Sequence, residues 1–132
     1  MSDESAAGEV LKQIIESVDK ILGRSKTVKT PRDFLKSERS LEKLDSICMQ
    51  LIAVGEGIKN FDKLTRKRVL TNYPEFEWKK AMGMRDILSH HYFDLNSEIV
   101  FDVCKNEIPK LKKVATQIIA DLDKKVERSK RI

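Results

Sequence analysis

The sequence predicts an all-α fold, an antiparallel helical bundle of four main helices plus a short extra helix. Apolar residues recur at helical spacing in several long stretches. The chain of 132 residues has only three prolines and five glycines, which is too few for a fold with many turns and strands. No stretch alternates apolar and polar residues as a half-buried strand does. The length suits one domain over residues 1–132.

The first half of the chain predicts two helices. Residues 10–22 carry an apolar stripe, and Gly23 supplies a stop signal. Residues 30–33, Thr-Pro-Arg-Asp, have the cap, the first-turn proline and the acidic residue that open a helix. The second apolar stripe then continues to about Asn60. Because this is long for a globular helix, we expect a bend or break within residues 37–40.

The second half predicts a connector and further helices. Residues 61–76 are polar and basic, so they are expected to connect the helices with at most one helical turn. A third helix is predicted over residues 77–89, and cap-type residues at positions 94, 96 and 97 mark the next start. The last stripe should be divided by Pro109 into a short and a long helix. The basic tail, residues 124–132, is expected to fray.

The charge balance points to anionic partners. The net charge is +5 and the isoelectric point is near 9.2, which favours nucleic acid first and an acidic protein second. A solubilising surface explains a charge of this size equally well. The basic run at Lys63, Arg66, Lys67 and Arg68 precedes the third helix, where it could line a path for RNA; a solvated helix face is the alternative.

Several classes of function are not indicated. Cys48 and Cys104 lie among apolar residues and are expected to be buried, reduced thiols, with no spacing that suggests zinc. There is no Glu-x-x-His pair for a di-metal site and no glycine-rich phosphate loop. We therefore expect no metal and no cofactor. No apolar stretch approaches a membrane span and the start lacks a signal peptide, so a cytoplasmic protein is predicted.

Arg85, His90 and Tyr92 place a cation, an imidazole and a phenol within eight positions. At about 100° per residue, Arg85 shares a helical stripe with apolar neighbours. The stripe consists of Trp78, Met82, Arg85, Ser89 and Tyr92. A guanidinium there needs a partner or a functional interface. Glu56 is one candidate partner, and an exposed glutamate at a fraying helix end is the alternative reading.

The same residues suit chemistry on a phosphodiester. The arginine can hold phosphate oxygens, and the histidine can exchange a proton with a ribose 2′-hydroxyl or a leaving oxygen. On a straight helix, however, His90 points about 140° away from Arg85. Either the helix ends near His90 or a two-fold dimer brings Arg85 and His90 of two subunits together. The spacing alone also fits a structural Arg, a surface His and a core Tyr.

The segment from Trp78 to Tyr92 resembles the signature of the HepT-like branch of the HEPN superfamily, a branch of toxin ribonucleases. That branch carries an R-x4-H-x-Y motif, which matches Arg85, His90 and Tyr92. The run Leu51 to Glu56 resembles the Gly-Glu end of the family's long second helix. The similarity of pattern covers about residues 8–122, although the specific motif covers only the eight residues from Arg85.

The resemblance implies a homodimer with Arg85 and His90 as catalytic residues at a shared cleft, and metal-independent cleavage of RNA. It also implies a nucleotidyltransferase antitoxin of the MntA type, which silences the toxin by transferring AMP to Tyr92. Asp86 stands where the family often has Asn, so it is a supporting residue whose charge could orient its neighbours or repel RNA. His91 is expected to face solvent. A competing prediction is a non-catalytic helical partner of a nucleotidyltransferase, or an RNA-binding adaptor.

Overall fold

The computed structural model describes residues 3–89 and 97–130, and three long helices form its body. The long helices are α1 (Asp3–Ser25), α2 (Glu38–Leu64) and α6 (Ile108–Lys130). The short helices are α3 (Trp78–Met82), α4 (Met84–Ser89) and α5 (Ser97–Asp102). No strand occurs within these described ranges, and the predicted all-α bundle is confirmed.

Helix α1 runs antiparallel to both α2 and α6. The ammonium of Lys105 donates to the carbonyl oxygen of Ser25 at 2.8 Å, and Lys112 forms an ion pair with Asp19. The end of α1 therefore lies beside the start of α6. Towards α2, an ideal Cβ built on Gly57 would lie 2.8 Å from a side-chain carbon of Ile14, so the two helices pack closely at this level.

The apolar stripes of the three long helices meet in one core. The side chains with no exposed surface are Val18, Ile21, Phe34, Ile47, Val100, Ala115 and Ile118. Cys48 and Cys104 are free and buried in this core, as predicted. Burial raises the pKa of the Cys48 thiol to about 12 and that of Cys104 to about 11, so both stay protonated at neutral pH.

The break before α2 is confirmed. A 3₁₀ helix spans Pro31–Leu35, and the Asp33 carboxylate accepts backbone hydrogen bonds from Lys29 and Thr30 at 2.8 and 3.0 Å. The backbone N–H of Ser40 then donates to the Ser37 hydroxyl, which caps α2. The prediction that Gly23 ends the first helix was wrong, because α1 continues to Ser25. A glycine near a helix end lowers helix stability by only about 1 kcal/mol, which the packing of α1 overrides.

The connector is shorter than predicted. Helix α2 continues to Leu64 because Phe61 extends its buried stripe, and a 3₁₀ helix follows at Leu70–Asn72. Tyr73 then ties the connector to α6, since its hydroxyl donates to Asp121 at 2.5 Å. Burial, followed by this hydrogen bond, raises the pKa of Tyr73 to about 12, and the same bond lowers the pKa of Asp121.

Pro109 divides the last helical region as predicted, but the chain does not leave the helix. A π-helical turn, Val103–Glu107, joins α5 to α6, and the Ile108 N–H donates to the carbonyl of Val103. The wider turn accommodates the proline ring, which clashes with the carbonyl four residues earlier in a regular α-helix. Helix α6 continues to Lys130, with residues 123–130 exposed. In the described part of the chain, no helix is both long and apolar enough to span a membrane.

Candidate functional site

The motif segment forms two short helices instead of one straight one. Helix α3 ends at Met82, and the Gly83 N–H donates back to the carbonyl of Lys79. Helix α4 begins at Met84, and the Ile87 N–H donates to Gly83. The prediction of a single helix over residues 77–89 was therefore wrong at this turn. The helical wheel that placed Arg85 on an apolar stripe assumed a straight axis, so that placement also changes.

Gly55 determines how closely the motif segment approaches α2. The residue is buried, and an ideal Cβ built on it would lie 2.7 Å from the backbone oxygen of Ala81. The same Cβ would lie 3.5 Å from the Cβ of Met84. A side chain at position 55 would therefore push α3 and the start of α4 outward. This close approach gives a structural reason for the glycine that precedes Glu56.

Glu56 and Arg85 face each other across this contact. One carboxylate oxygen of Glu56 lies 3.8 Å from an Nη of Arg85 and 3.9 Å from the ammonium of Lys59. The predicted pairing with Arg85 is confirmed. The prediction of an apolar environment is wrong, because the Arg85 side chain is 65% exposed and that of Glu56 is 44% exposed. Such a pair contributes only about 0–1 kcal/mol to stability, and it leaves the guanidinium accessible.

The other predicted site residues divide into two groups. Asp86 is exposed in the first turn of α4, and it has no ion pair within the part of the chain that the structure describes. His90, His91 and Tyr92 lie outside the described residues. The cooperation of Arg85 with His90 and Tyr92 therefore stays a prediction. Among the residues of 3–89 and 97–130, no group of three His, Cys, Asp or Glu side chains could hold a metal ion.

A wide groove with a volume of about 1210 Å³ lies between the end of α2 and helix α3. Its basic residues are Lys59, Lys63, Arg66, Lys67, Lys79 and Lys80, and its acidic residues are Asp62 and Glu77. The side chain of Trp78 also lines this groove. We name this feature the basic groove. Sequence reasoning found part of it, but it could not anticipate that α3 adds two lysines or that Arg68 faces a different depression.

The described bundle is all-helical and holds the motif arginine at its surface, as the resemblance of the sequence implied for the fold. A family model described as "Ribonuclease HepT-like" matches residues 9–118. The chain belongs to the HepT-like ribonuclease family.

Curated relatives carry related names. The chain is 32% identical to "Putative RNase MJ1216" of Methanocaldococcus jannaschii over 119 residues, which cover 90% of this chain and 92% of the relative. It is 32% identical to "Putative RNase MJ0127" of the same organism over 97 residues, or 74% of each chain. It is 33% identical to "Probable ribonuclease HepT" of Thermococcus cleftensis over 67 residues, covering 51% of this chain and 57% of the relative. No solved structure gives a significant match.

Proposed function

We propose that the chain is a homodimeric, metal-independent endoribonuclease and the toxin of a toxin-antitoxin pair. The observation that carries the proposal is the position of Arg85. Its guanidinium is accessible, lies 3.8 Å from the carboxylate of Glu56, and is only five residues before His90 in the chain. An exposed cation contributes little to the stability of the fold, so a role in binding phosphate explains its position better than a structural one. Membership of a ribonuclease family supports the same conclusion.

The proposed reaction is attack by a ribose 2′-hydroxyl on the adjacent phosphorus. One imidazole accepts the proton of the 2′-hydroxyl as its oxygen bonds to phosphorus. The bond from phosphorus to the 5′ oxygen breaks, and an imidazolium gives that oxygen a proton. The products are a 2′,3′-cyclic phosphate and a 5′-hydroxyl end. Arg85 binds the phosphate oxygens and stabilises the negative charge that accumulates on them in the transition state.

A two-fold dimer would supply both proton-transfer groups. Each subunit has one motif histidine, His90, and the reaction needs a base and an acid at the same phosphate. An isologous interface places equivalent residues of both subunits around one axis. Helix α2 offers an outward apolar residue near this site, since Met49 is 66% exposed two turns before Glu56. We propose that the face of α2 with Met49 and Glu56 contributes to the dimer interface.

Tyr92 is the proposed site of regulation by a nucleotidyltransferase antitoxin of the MntA type. Transfer of AMP from ATP forms a phosphodiester between the tyrosine oxygen and the nucleotide, and releases pyrophosphate. The added group brings negative charge and bulk next to the position proposed for the RNA phosphate. Binding of RNA would then be opposed by both repulsion and steric exclusion. Asp86, six residues before Tyr92 in the sequence, is proposed to support the site without contacting the phosphate.

The proposal is tested by two measurements. RNA cleavage is assayed in the presence of a metal chelator with the parent chain and with Arg85→Ala and His90→Ala. Intact mass is then measured after co-expression with a nucleotidyltransferase encoded next to this chain. We expect cleavage that both substitutions slow by at least about 10²-fold, and a mass increase of one or more AMP units that Tyr92→Phe abolishes. RNA binding without cleavage by the parent chain would instead identify a non-catalytic adaptor.

A further inference from the structure

We propose that the basic groove binds a single strand of RNA next to the cleavage site. The groove extends from Lys59, beside Glu56, past the end of α2 to the outer side of α3. The inference rests on the proposed function for its biological meaning. The binding itself is measured independently of cleavage.

The charge of the groove favours a polyanion. Six basic and two acidic side chains line it, which gives a net charge of +4, compared with +5 for the whole chain. Lys63, Lys67 and Lys80 are exposed, and none of them forms an ion pair with another described residue. Cations that are concentrated in one groove and not neutralised by neighbours attract phosphates and release counterions when phosphates bind.

The aromatic lining favours a single strand over a duplex. Trp78 is half-buried, and its indole N–H already donates to the carbonyl of Tyr73 at 2.9 Å. Its ring packs against Phe76, with ring centroids 4.6 Å apart. The ring is therefore fixed in the groove wall, where an unpaired base can stack on it. Bases in a duplex are already stacked on each other and do not offer a free face.

The backbone at the end of α2 supports a functional role for the groove. Arg66 and Lys67 have φ angles of 55° and 60°, in the left-handed region that side chains rarely adopt. Two consecutive non-glycine residues in this region are unfavourable for stability. Glycine would make the same turn without this penalty, but it would remove two cations from the groove. Strain of this kind is typical of sites where function requires the side chain.

The groove is also continuous with the candidate active site. Lys59 lines the groove and contacts the carboxylate oxygen of Glu56 that also contacts Arg85. A strand whose scissile phosphate lies at Arg85 can therefore pass Lys59 and continue over Lys63 towards Lys67. The nucleotides on one side of the cleavage site would then be held by the groove of the same subunit.

The experiment uses the single tryptophan of the chain as its probe. A short 2′-O-methyl oligoribonucleotide, which cannot be cleaved by 2′-hydroxyl attack, is titrated into the full-length protein, and Trp78 fluorescence is followed at several salt concentrations. The groove variant is Lys63→Ala/Lys67→Ala/Lys80→Ala. Its matched control, Lys20→Ala/Lys26→Ala/Lys130→Ala, removes the same charge from exposed positions outside the groove. Circular dichroism establishes that both variants are folded.

We expect the oligonucleotide to change Trp78 fluorescence in the parent protein and in the control. The groove variant should bind at least about tenfold more weakly, and its slope of log affinity against log salt should be shallower by about 2. Equal binding by the two triple variants, or no binding by the parent, would overturn the proposal. So would a groove variant that binds RNA normally but no longer binds the nucleotidyltransferase, since the groove would then be a protein-docking surface.

The two proposals fail in distinguishable ways. If the parent binds the oligonucleotide through the groove but cleaves no RNA, the groove proposal stands and the ribonuclease proposal fails. If the parent cleaves RNA and the groove variant cleaves it with an unchanged KM, the ribonuclease proposal stands and the groove proposal fails.

Discussion

Replacing Gly55 with alanine tests how the bundle positions Arg85. The added Cβ would lie 2.7 Å from the backbone oxygen of Ala81, and real Cβ atoms essentially never approach a heavy atom this closely. The neighbour is backbone, so it cannot move aside as the end of a flexible side chain does. Helix α3 must therefore shift outward by several tenths of an ångström, and α4 with Arg85 follows it. The substitution perturbs the site without touching a proposed catalytic residue.

Two opposing effects determine the size of the change in stability. Alanine in a helix interior is more favourable than glycine by about 1 kcal/mol. Overpacking against a fixed neighbour is unfavourable by about 1–3 kcal/mol. We therefore expect Gly55→Ala to lower the free energy of unfolding by about 0–2 kcal/mol. Since positioning errors near 1 Å reduce activity by about 10²-fold, the smaller shift should reduce RNA cleavage by about tenfold.

Gly8→Ala is the matched control. Gly8 is also inside a helix, but a Cβ built on it meets nothing within 4 Å. The free energy of unfolding of this variant should be higher by about 1 kcal/mol, which corresponds to a melting temperature higher by about 4 °C. Its rate of RNA cleavage should be unchanged. Thermal unfolding and RNA cleavage are measured for both variants. The reasoning is refuted if Gly55→Ala is stabilised as much as Gly8→Ala and keeps full activity.

Three further predictions follow from the same structure. Glu56→Gln should leave the free energy of unfolding within about 0.5 kcal/mol of the parent value. Its kcat should fall because Arg85 loses its charged partner, and its KM should fall because RNA no longer meets a repelling carboxylate. Steady-state kinetics that show a higher KM would contradict this prediction. Lys67→Gly should raise the free energy of unfolding by up to about 1 kcal/mol, because glycine adopts a φ of 60° without the strain that a side chain causes there. It should also weaken RNA binding, because the substitution removes a cation. Urea unfolding that shows a less stable variant would contradict the claim that the backbone is strained at Lys67. Burial raises the pKa of Cys48 and Cys104 from 9.0 to about 12 and about 11, so the stability that the thiols contribute is present below about pH 9 and is lost as the pH rises through 11–12. When both cysteines are replaced by alanine, the free energy of unfolding should therefore decrease less above pH 9 than it does in the parent. An identical decrease would exclude the thiols as its cause.

The bundle could be predicted from the sequence because its signals are local and repeated. The apolar stripes, the start signal at Thr30 and the position of Pro109 each depend on residues that are close in the sequence, and the structure agrees with them. Signals that depend on competition between elements were less informative. Gly23 does not end α1, because packing of the helix outweighs the preference of one residue.

The candidate site was only partly predictable because it depends on contacts between distant residues. The Gly-Glu pair at positions 55 and 56 was recognised in sequence, but its purpose requires the position of Ala81, 26 residues later. The turn at Gly83 moves Arg85 to the surface, which a straight helical wheel cannot represent. The basic groove combines residues from two helices and the turn between them, so no single run of the sequence contains it.

The most direct test of the central claim is the rate of RNA cleavage, with a metal chelator present, by the parent chain and by Arg85→Ala and His90→Ala. Arg85→Ala should remain folded, since Arg85 is exposed and its ion pair contributes little to stability, and circular dichroism establishes the fold of both variants. We predict that the parent cleaves RNA to products with 2′,3′-cyclic phosphate ends. Arg85→Ala should be slower by about 10²–10³-fold and His90→Ala by about 10²–10⁴-fold. Cleavage at the parental rate by either folded variant would contradict the assignment of the active site.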